Sequence, residues 1–276
     1  MRIERPLRAV HPTTIGRDLN SRMPIHSALI SAPGLRTGEN GRDRANGRSI
    51  RALSVDLDRT LGPAGRGPSP EGLEALLEAR RIGLRVVVAS GRTLPDLRRF
   101  FLGREIVDAF VAENGAIIYL PDAAIERTMG RAIGSLVRRR MRSNPPRPIV
   151  FGRVVASFPL SMRSWAERRL RGVHVDFVRN VDRFMVLPTG VTKARGVEQA
   201  LRYWGFPDRA YAAIGDAEND VPMLEHAALS ATVRNAVPAA RRAASVHCRA
   251  AMGRGVLEFV TGALANYVSS YGPGRE

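Results

Sequence analysis

Lysine is almost missing from this chain: of its 43 basic residues, 42 are arginine and only Lys193 is lysine. Cysteine is as scarce. With Cys248 alone, no internal disulfide can form, and a reducing compartment fits. The spacings of zinc sites, C-x-x-C and H-x-x-x-H, are missing and the five histidines are scattered, which argues against a zinc centre. No apolar run approaches the roughly 18 residues of a membrane helix. The stretch from Ile25 to Ile30 is too short and too interrupted for the core of a secretory signal. What remains is a cytoplasmic protein of ordinary globular composition, 44% hydrophobic and 25% charged, with no membrane partner.

The net charge of +17 invites a nucleic-acid reading. The arginines are spread along the chain, however, and Arg138-Arg139-Arg140 is the densest run. Solvated helix faces in a protein from a GC-rich genome account for them better, and a nucleic-acid partner is not favoured. The same bias makes Lys193 conspicuous. Where arginine is accepted almost everywhere, this position calls for a compact ammonium instead of a planar fork.

Residues 1–49 show neither helical nor strand period and carry nine arginines against four acids, as a disordered basic extension would. A transit peptide and a translation start nearer Met23 are both open readings of it. From Ile50 the pattern turns regular. Ala52 to Val55 reads as a buried strand; Ser69-Pro70 opens a helix; Leu84 to Ala89 is a strand buried on both faces. A helix with Leu97, Phe100 and Phe101 inward and a strand ending at Ala112 continue the alternation, which means right-handed crossovers and a parallel sheet. From about residue 120 to 183 the rhythm changes. A basic helix from Ala123 to about Arg142, a strand over 148–156, a helix around Met162 to Leu170 and a strand over 173–178 suggest a small α+β insert. The sheet is expected to resume with Phe184 to Leu187. Thr192 caps the next helix, and strands over 212–214 and 229–233 and a closing helix to Leu264 follow, with a frayed tail from Ser269. The domain expectation is a core of 50–119 plus 184–268 around an insert of 120–183.

Four signals fall on one edge of that sheet. Asp56 and Asp58 stand i, i+2 at the mouth of the first strand, where two like charges ask for a cation or a shared proton, although a loop with Asp58 as a cap is the plainer alternative. Ser90 and Asp216 each follow another strand. Lys193 opens a helix, against the macrodipole, which is resolved if an anion binds there. Ligands of open parallel sheets bind beyond the carboxyl ends of the strands.

In order, Asp56-Leu57-Asp58-Arg59-Thr60, Ser90-Gly91-Arg92, Lys193 and Gly215-Asp216-Ala217-Glu218-Asn219-Asp220 resemble the four motifs of the haloacid dehalogenase superfamily. The insert lies between the second and third motifs, after Glu113-Asn114-Gly115-Ala116, as in members with a C2-type cap. These include the Cof-like sugar phosphatases, sucrose-phosphate phosphatase and archaeal phosphoglycolate phosphatase. The resemblance covers about residues 51–265. It implies an α/β, Rossmann-like core with a small cap, and a Mg²⁺-dependent phosphatase acting on a small phosphoester, a sugar phosphate or a phosphorylated acid, as a monomer or homodimer.

Residue by residue, the resemblance implies Asp56 as nucleophile, Asp58 as general acid and base, and Ser90 and Lys193 as holders of the transferring oxygens. Mg²⁺ would lie between Asp56, the main chain of Asp58, Asp216 and Asp220. Asn219 would orient the phosphate or Asp216. Arg92 would either meet substrate phosphate or tie down Glu113. Asn114 and Asn235 could line the site or serve loop turns. One departure stands out: the family's usual glycine after the second aspartate is Arg59. A phosphomutase of the same superfamily, and a basic nucleic-acid-binding protein that keeps the fold without the chemistry, are the competing readings.

Overall fold

The computed structural model describes residues 49–130, 134–142 and 145–271. The expectation for residues 1–48 lies outside them.

Buried strands alternate with capped helices at first. Strand β1 (Ala52–Val55) leads to helix α1 (Pro70–Arg81), whose Ser69 cap accepts from Gly72 N at 3.1 Å. Strand β2 (Arg85–Ala89), helix α2 (Leu94–Phe100) and strand β3 (Ala109–Ala112) follow, and β1, β2 and β3 run parallel. Two antiparallel strands then extend the sheet, β4 (Ile117–Leu120) and β5 (Ile125–Thr128). Here the expected helix from Ala123 is corrected. The open edge of β4 offers backbone partners to Ile125–Thr128, whose ends are β-branched, and helix α3 (Gly134–Arg142) begins only later.

The middle of the chain forms a second, four-stranded antiparallel sheet. It contains β6 (Val150–Phe151), β7 (Ala156–Pro159), then after helix α4 (Arg163–Arg169) β8 (Val175–Asn180) and β9 (Arg183–Pro188), in the order β6-β7-β9-β8. The expectation that Phe184–Leu187 rejoins the parallel sheet is therefore corrected. Strand β9 is buried on both faces, the usual mark of a central parallel strand. Its two faces serve two cores: Phe184 and Val186 pack with Val137, Met141 and Phe158, while Met185 and Leu187 pack into the core of the large sheet.

Helix α5 (Lys193–Tyr203), strand β10 (Tyr211–Gly215), helix α6 (Val221–His226), strand β11 (Leu229–Thr232), helix α7 (Pro238–Ala243) and strand β12 (Val246–His247) complete the large sheet. His247 lies on β12. Helix α8 (Met252–Phe259) continues through a π-turn into α9 (Ala265–Tyr271), so residues 269–271 are helical where fraying is expected from the sequence; 272–276 lie outside the described residues.

The large sheet has the order β12-β11-β10-β1-β2-β3-β4-β5. Alternate strand residues point to opposite faces. Leu53, Val55, Val86 and Val88 meet Leu76, Leu97, Val256 and Phe259 on one side; Val87, Val111 and Ala213 meet Val197, Leu201, Met223 and Leu224 on the other. The chain winds outward from β1 through β2 and β3, and in the other direction through β10 and β11. That makes the carboxyl end of β1 the switch point, and Asp56 is its first residue.

Candidate active site

Three strand ends deliver two acids and a serine. Asp56 follows β1, Ser90 follows β2 and Asp216 follows β10, all neighbours in the parallel part of the sheet. The fourth contributor enters from the start of α5. Thr192 Oγ1 accepts from Arg195 N at 3.3 Å, and the fully buried Lys193 donates from Nζ to Asp56 Oδ1 at 2.5 Å and to Asp220 Oδ1 at 2.6 Å. The lone lysine is thus committed to two carboxylates behind the site floor.

Asp220 is also fully buried. Its Oδ2 accepts from Asp216 N and Ala217 N, both at 2.9 Å, so every oxygen it has is bonded and it fixes the loop that carries Asp216. The close packing explains Gly215: a Cβ there would lie 2.6 Å from the Asp220 carboxylate. Asp216 Oδ1 accepts from Thr60 Oγ1 at 3.0 Å. Its Oδ2 lies 3.0 Å from Arg59 Nε, an ion pair by distance, yet this buried oxygen receives no aligned hydrogen bond among the described residues.

One oxygen each from Asp56, Asp216 and Asp220 lies within 4.8 Å of the others. Hard oxygen donors and an orphaned buried carboxylate oxygen fit a divalent cation of the Mg²⁺ kind. Asp56 and Asp216 would hold it, with Asp220 behind them. Burial raises Asp216 to about 7, with Asp220 adding and Arg59 and Thr60 opposing. Burial pushes Asp56 up as well, against the pull of Lys193. Burial alone would lower the Lys193 ammonium, but Asp220 and Asp56 outweigh it and hold it above its ordinary value, so it stays charged.

Asp58 stands outside this cluster. Arg92 grips it with a two-pronged guanidinium, Nε to Oδ2 at 2.6 Å and Nη2 to Oδ1 at 2.9 Å, and Gly65 N adds a third bond at 2.8 Å. Of the two places expected for the Arg92 side chain, the tie to Glu113 is therefore corrected. Glu113 instead reaches the second sheet: its carboxylate accepts from the backbone N of Arg153, Val154 and Val155 at 2.8, 2.7 and 3.0 Å. Arg92 keeps only a main-chain link to it, Glu113 N to Arg92 O at 2.8 Å. Asn114 likewise binds Ser90 O through its N, and its Oδ1 accepts from Asn219 Nδ2 at 3.0 Å. Asn219 is buried there behind the wall of the cavity instead of on it.

A cavity of about 570 Å³ opens over these residues. Asp56, Asp58, Ser90, Arg92 and Asp216 line it from the large sheet, and Ser157, Asn180 and Arg183 from the small one. Those last three carry no motif and are invisible to a reading of the chain in order. So are two further links. Glu218 binds the β8–β9 turn, accepting from Val181 N at 3.0 Å beside Arg179 Nε at 3.1 Å, and Asn235 clasps the backbone of Arg59. In the sequence the one is an acid inside a motif and the other an amide well past it, with nothing to name its distant partner.

Comparison with known proteins follows the same lines. The sequence profile of the haloacid dehalogenase-like hydrolases matches residues 53–130 and 177–260 and leaves out most of the second sheet's early strands. A phosphoglycolate phosphatase of Metallosphaera sedula is 30% identical over 221 residues, 76% of this chain and 97% of its own. One of Pyrobaculum aerophilum is 32% identical, over 77% and 95%. Among solved structures, protein 0175 of Thermoplasma acidophilum superposes with a TM-score of 0.67 at 17% identity, over 79% and 99% of the two chains. The subclass IIB sugar phosphatase BT4131 does so with a TM-score of 0.61 at 19% identity, over 81% and 99%.

Proposed function

The chain belongs to the haloacid dehalogenase-like hydrolase family, and on that premise we propose that it is a Mg²⁺-dependent phosphatase for a small phosphorylated acid, phosphoglycolate foremost, with sugar phosphates as the next class. The observation that carries this reading is the convergence of Asp56, Asp216, Asp220 and Lys193 at the sheet's switch point, beneath a cavity lined from both sheets. The names of the archaeal relatives support the substrate class.

In this reading Asp56 attacks phosphorus and forms an aspartyl-phosphate, and water then hydrolyses it. Asp58 protonates the leaving oxygen and afterwards takes a proton from water, with Arg92 setting the direction of its carboxyl group. Ser90 and the main-chain N–H groups after Asp56 hold the transferring oxygens, and Arg92 adds positive charge to the same wall. Lys193 keeps Asp56 aimed and offsets the charge of Asp220. Asn219, through Asn114, steadies the strand ends that frame the phosphate. A bound Mg²⁺ would supply charge neutralisation between Asp56 and Asp216. The second sheet acts as a cap whose Ser157, Asn180 and Arg183 face the rest of the substrate, so the positively charged Arg183 favours a substrate with a second anionic group.

The test is phosphate release from phosphoglycolate, a set of sugar phosphates and p-nitrophenyl phosphate, with Mg²⁺ or EDTA, for the wild type and Asp56→Asn. Turnover that needs Mg²⁺ and vanishes in the variant supports the reading. A folded wild type that releases no phosphate from any of them refutes it, and transfer of phosphate between positions of a sugar without release would make the protein a mutase.

A further inference from the structure

Position 59 is where this chain leaves the pattern it otherwise keeps, and the side chain found there is not idle. The backbone at Arg59 is left-handed, with φ 67°, a conformation that suits glycine and strains other L residues. Three hydrogen bonds keep it so. Arg59 N donates to Gly62 O at 2.7 Å, Asn235 Nδ2 donates to Arg59 O at 2.8 Å, and Arg59 Nη2 donates to Asn235 O at 3.0 Å. Asn235 is in turn fixed by Met252 N, which donates to its Oδ1 at 3.0 Å. The clasp holds both the backbone and the guanidinium, and it leaves Nε 3.0 Å from Asp216 Oδ2.

Charge accounting gives that contact its meaning. Two of the three clustered carboxylates, Asp56 and Asp220, share Lys193. Asp216 has the neutral Thr60 hydroxyl on one oxygen, and on the other only Arg59. That second oxygen, Oδ2, is the one with no aligned hydrogen bond, so the Arg59–Asp216 contact itself rests on charge attraction, and a competing cation works against that attraction and against the Arg59 Nη2–Asn235 O bond that holds the guanidinium. A divalent ion seated between Asp56 and Asp216 would compete with Arg59 for the same carboxylate.

We propose that Arg59 is a resident counter-cation of Asp216 that a divalent ion has to displace, so that this side chain sets how tightly the site binds metal. The inference rests on the metal reading given above. Its consequence is a site that stays neutralised while empty and fills only at higher metal concentration than the same acids would need with glycine at 59.

The experiment is titration of the metal-stripped full-length protein with Mg²⁺, and with Mn²⁺ as a second probe, by calorimetry. Thermal midpoints are recorded without metal and at saturation. Arg59→Gln removes the charge while keeping length and hydrogen-bonding capacity; Arg59→Lys keeps the charge; Arg59→Gly relieves the left-handed backbone and guards against misfolding. Arg59→Gln and Arg59→Gly are expected to bind Mg²⁺ about tenfold more tightly than the wild type, because a neighbouring positive charge is gone. Arg59→Lys should stay within about threefold of the wild type. Without metal, Arg59→Gln should melt lower than the wild type and recover more on adding Mg²⁺. A wild type that binds Mg²⁺ no more weakly than Arg59→Gln and Arg59→Gly would overturn the proposal and leave the phosphatase reading standing. Failure of every folded form to bind either ion would remove the metal reading and this inference with it.

Discussion

Among the described residues Lys193 is the only cation directly bonded to Asp56 and Asp220: its ammonium bridges the two with no exposure to solvent. Removing one partner of such a buried set leaves charge without compensation, which typically costs about 3–5 kcal/mol. Lys193→Met is therefore expected to unfold at markedly lower urea than the wild type in the presence of EDTA, and an unchanged midpoint would show that the acids do not depend on it. Lys193→Arg should also lose stability, since a planar fork does not fit where a compact ammonium touches two oxygens 2.5 and 2.6 Å away. This residue was legible in the sequence, because codon bias had erased lysine everywhere else and so exposed the one place that resisted. Cys248 was legible only as a count. It is buried beside Glu258, and burial foremost raises its thiol to about 12. Native protein should accordingly react with a thiol reagent at pH 8 on the order of a thousandfold more slowly than free cysteine, and with one equivalent once denatured. A fast-reacting thiol in the native state would contradict that burial.

At the scale of elements, what could be read along the chain was whatever local pattern decides. Strands β1, β2 and β10 were legible because predominantly apolar runs end in polar residues, and α1 and α5 because Ser69 and Thr192 mark their starts. Partner choice was not. Strand β9 has the double-sided burial of a parallel strand, yet its neighbours are β7 and β8, and nothing in residues 183–188 says which sheet they join. Likewise, Ile125–Thr128 pairs with β4 because an open edge is near, which is a fact of tertiary structure. The same limit hid the role of Glu113. It sits with Asn114 in left-handed backbone at the end of β3, with φ 49° and 60°, and spends its carboxylate on three consecutive N–H groups of the loop before β7. Glu113→Gln puts an amide donor against those donors. It should cost about 1–3 kcal/mol, the range for a buried group left without its partner. Hydrogen exchange would locate the effect: the amides of 153–155 should exchange faster while those of β10 keep their protection, and uniform loss of protection would mean that Glu113 supports the whole fold instead of one junction.

For the whole molecule, the two sheets matter because the cavity belongs to both. Asp56, Asp58 and Asp216 line one wall, and Ser157, Asn180 and Arg183 line the other. Several links tie the small sheet to the large one: Glu113 clamps residues 153–155, Arg153 pairs with Glu126 of β5, and Glu218, in the loop that carries Asp216, clamps the β8–β9 turn. Asp216 and the far wall of the cavity are thus mechanically joined through a few residues. Several arginines have partners within the molecule: Arg80 and Arg85 on Asp108, Arg202 on Asp208, Arg98 over Tyr119. A cavity of about 570 Å³ is of the size that holds a small molecule. The expected outcome is a steep preference by substrate size. Phosphoglycolate and other small acid phosphates should be turned over with kcat/KM at least about tenfold above that for a phosphoserine peptide, because the cap wall has to fit round the group beyond the phosphorus. Arg183→Ala should shrink that ratio mainly by raising KM for doubly anionic substrates, with less effect on p-nitrophenyl phosphate, which carries no second anion. Equal loss on both would place Arg183 in support of the cap's own structure, through its bonds to Ser157 Oγ at 2.8 Å and Ser157 O at 3.0 Å, and not in recognition.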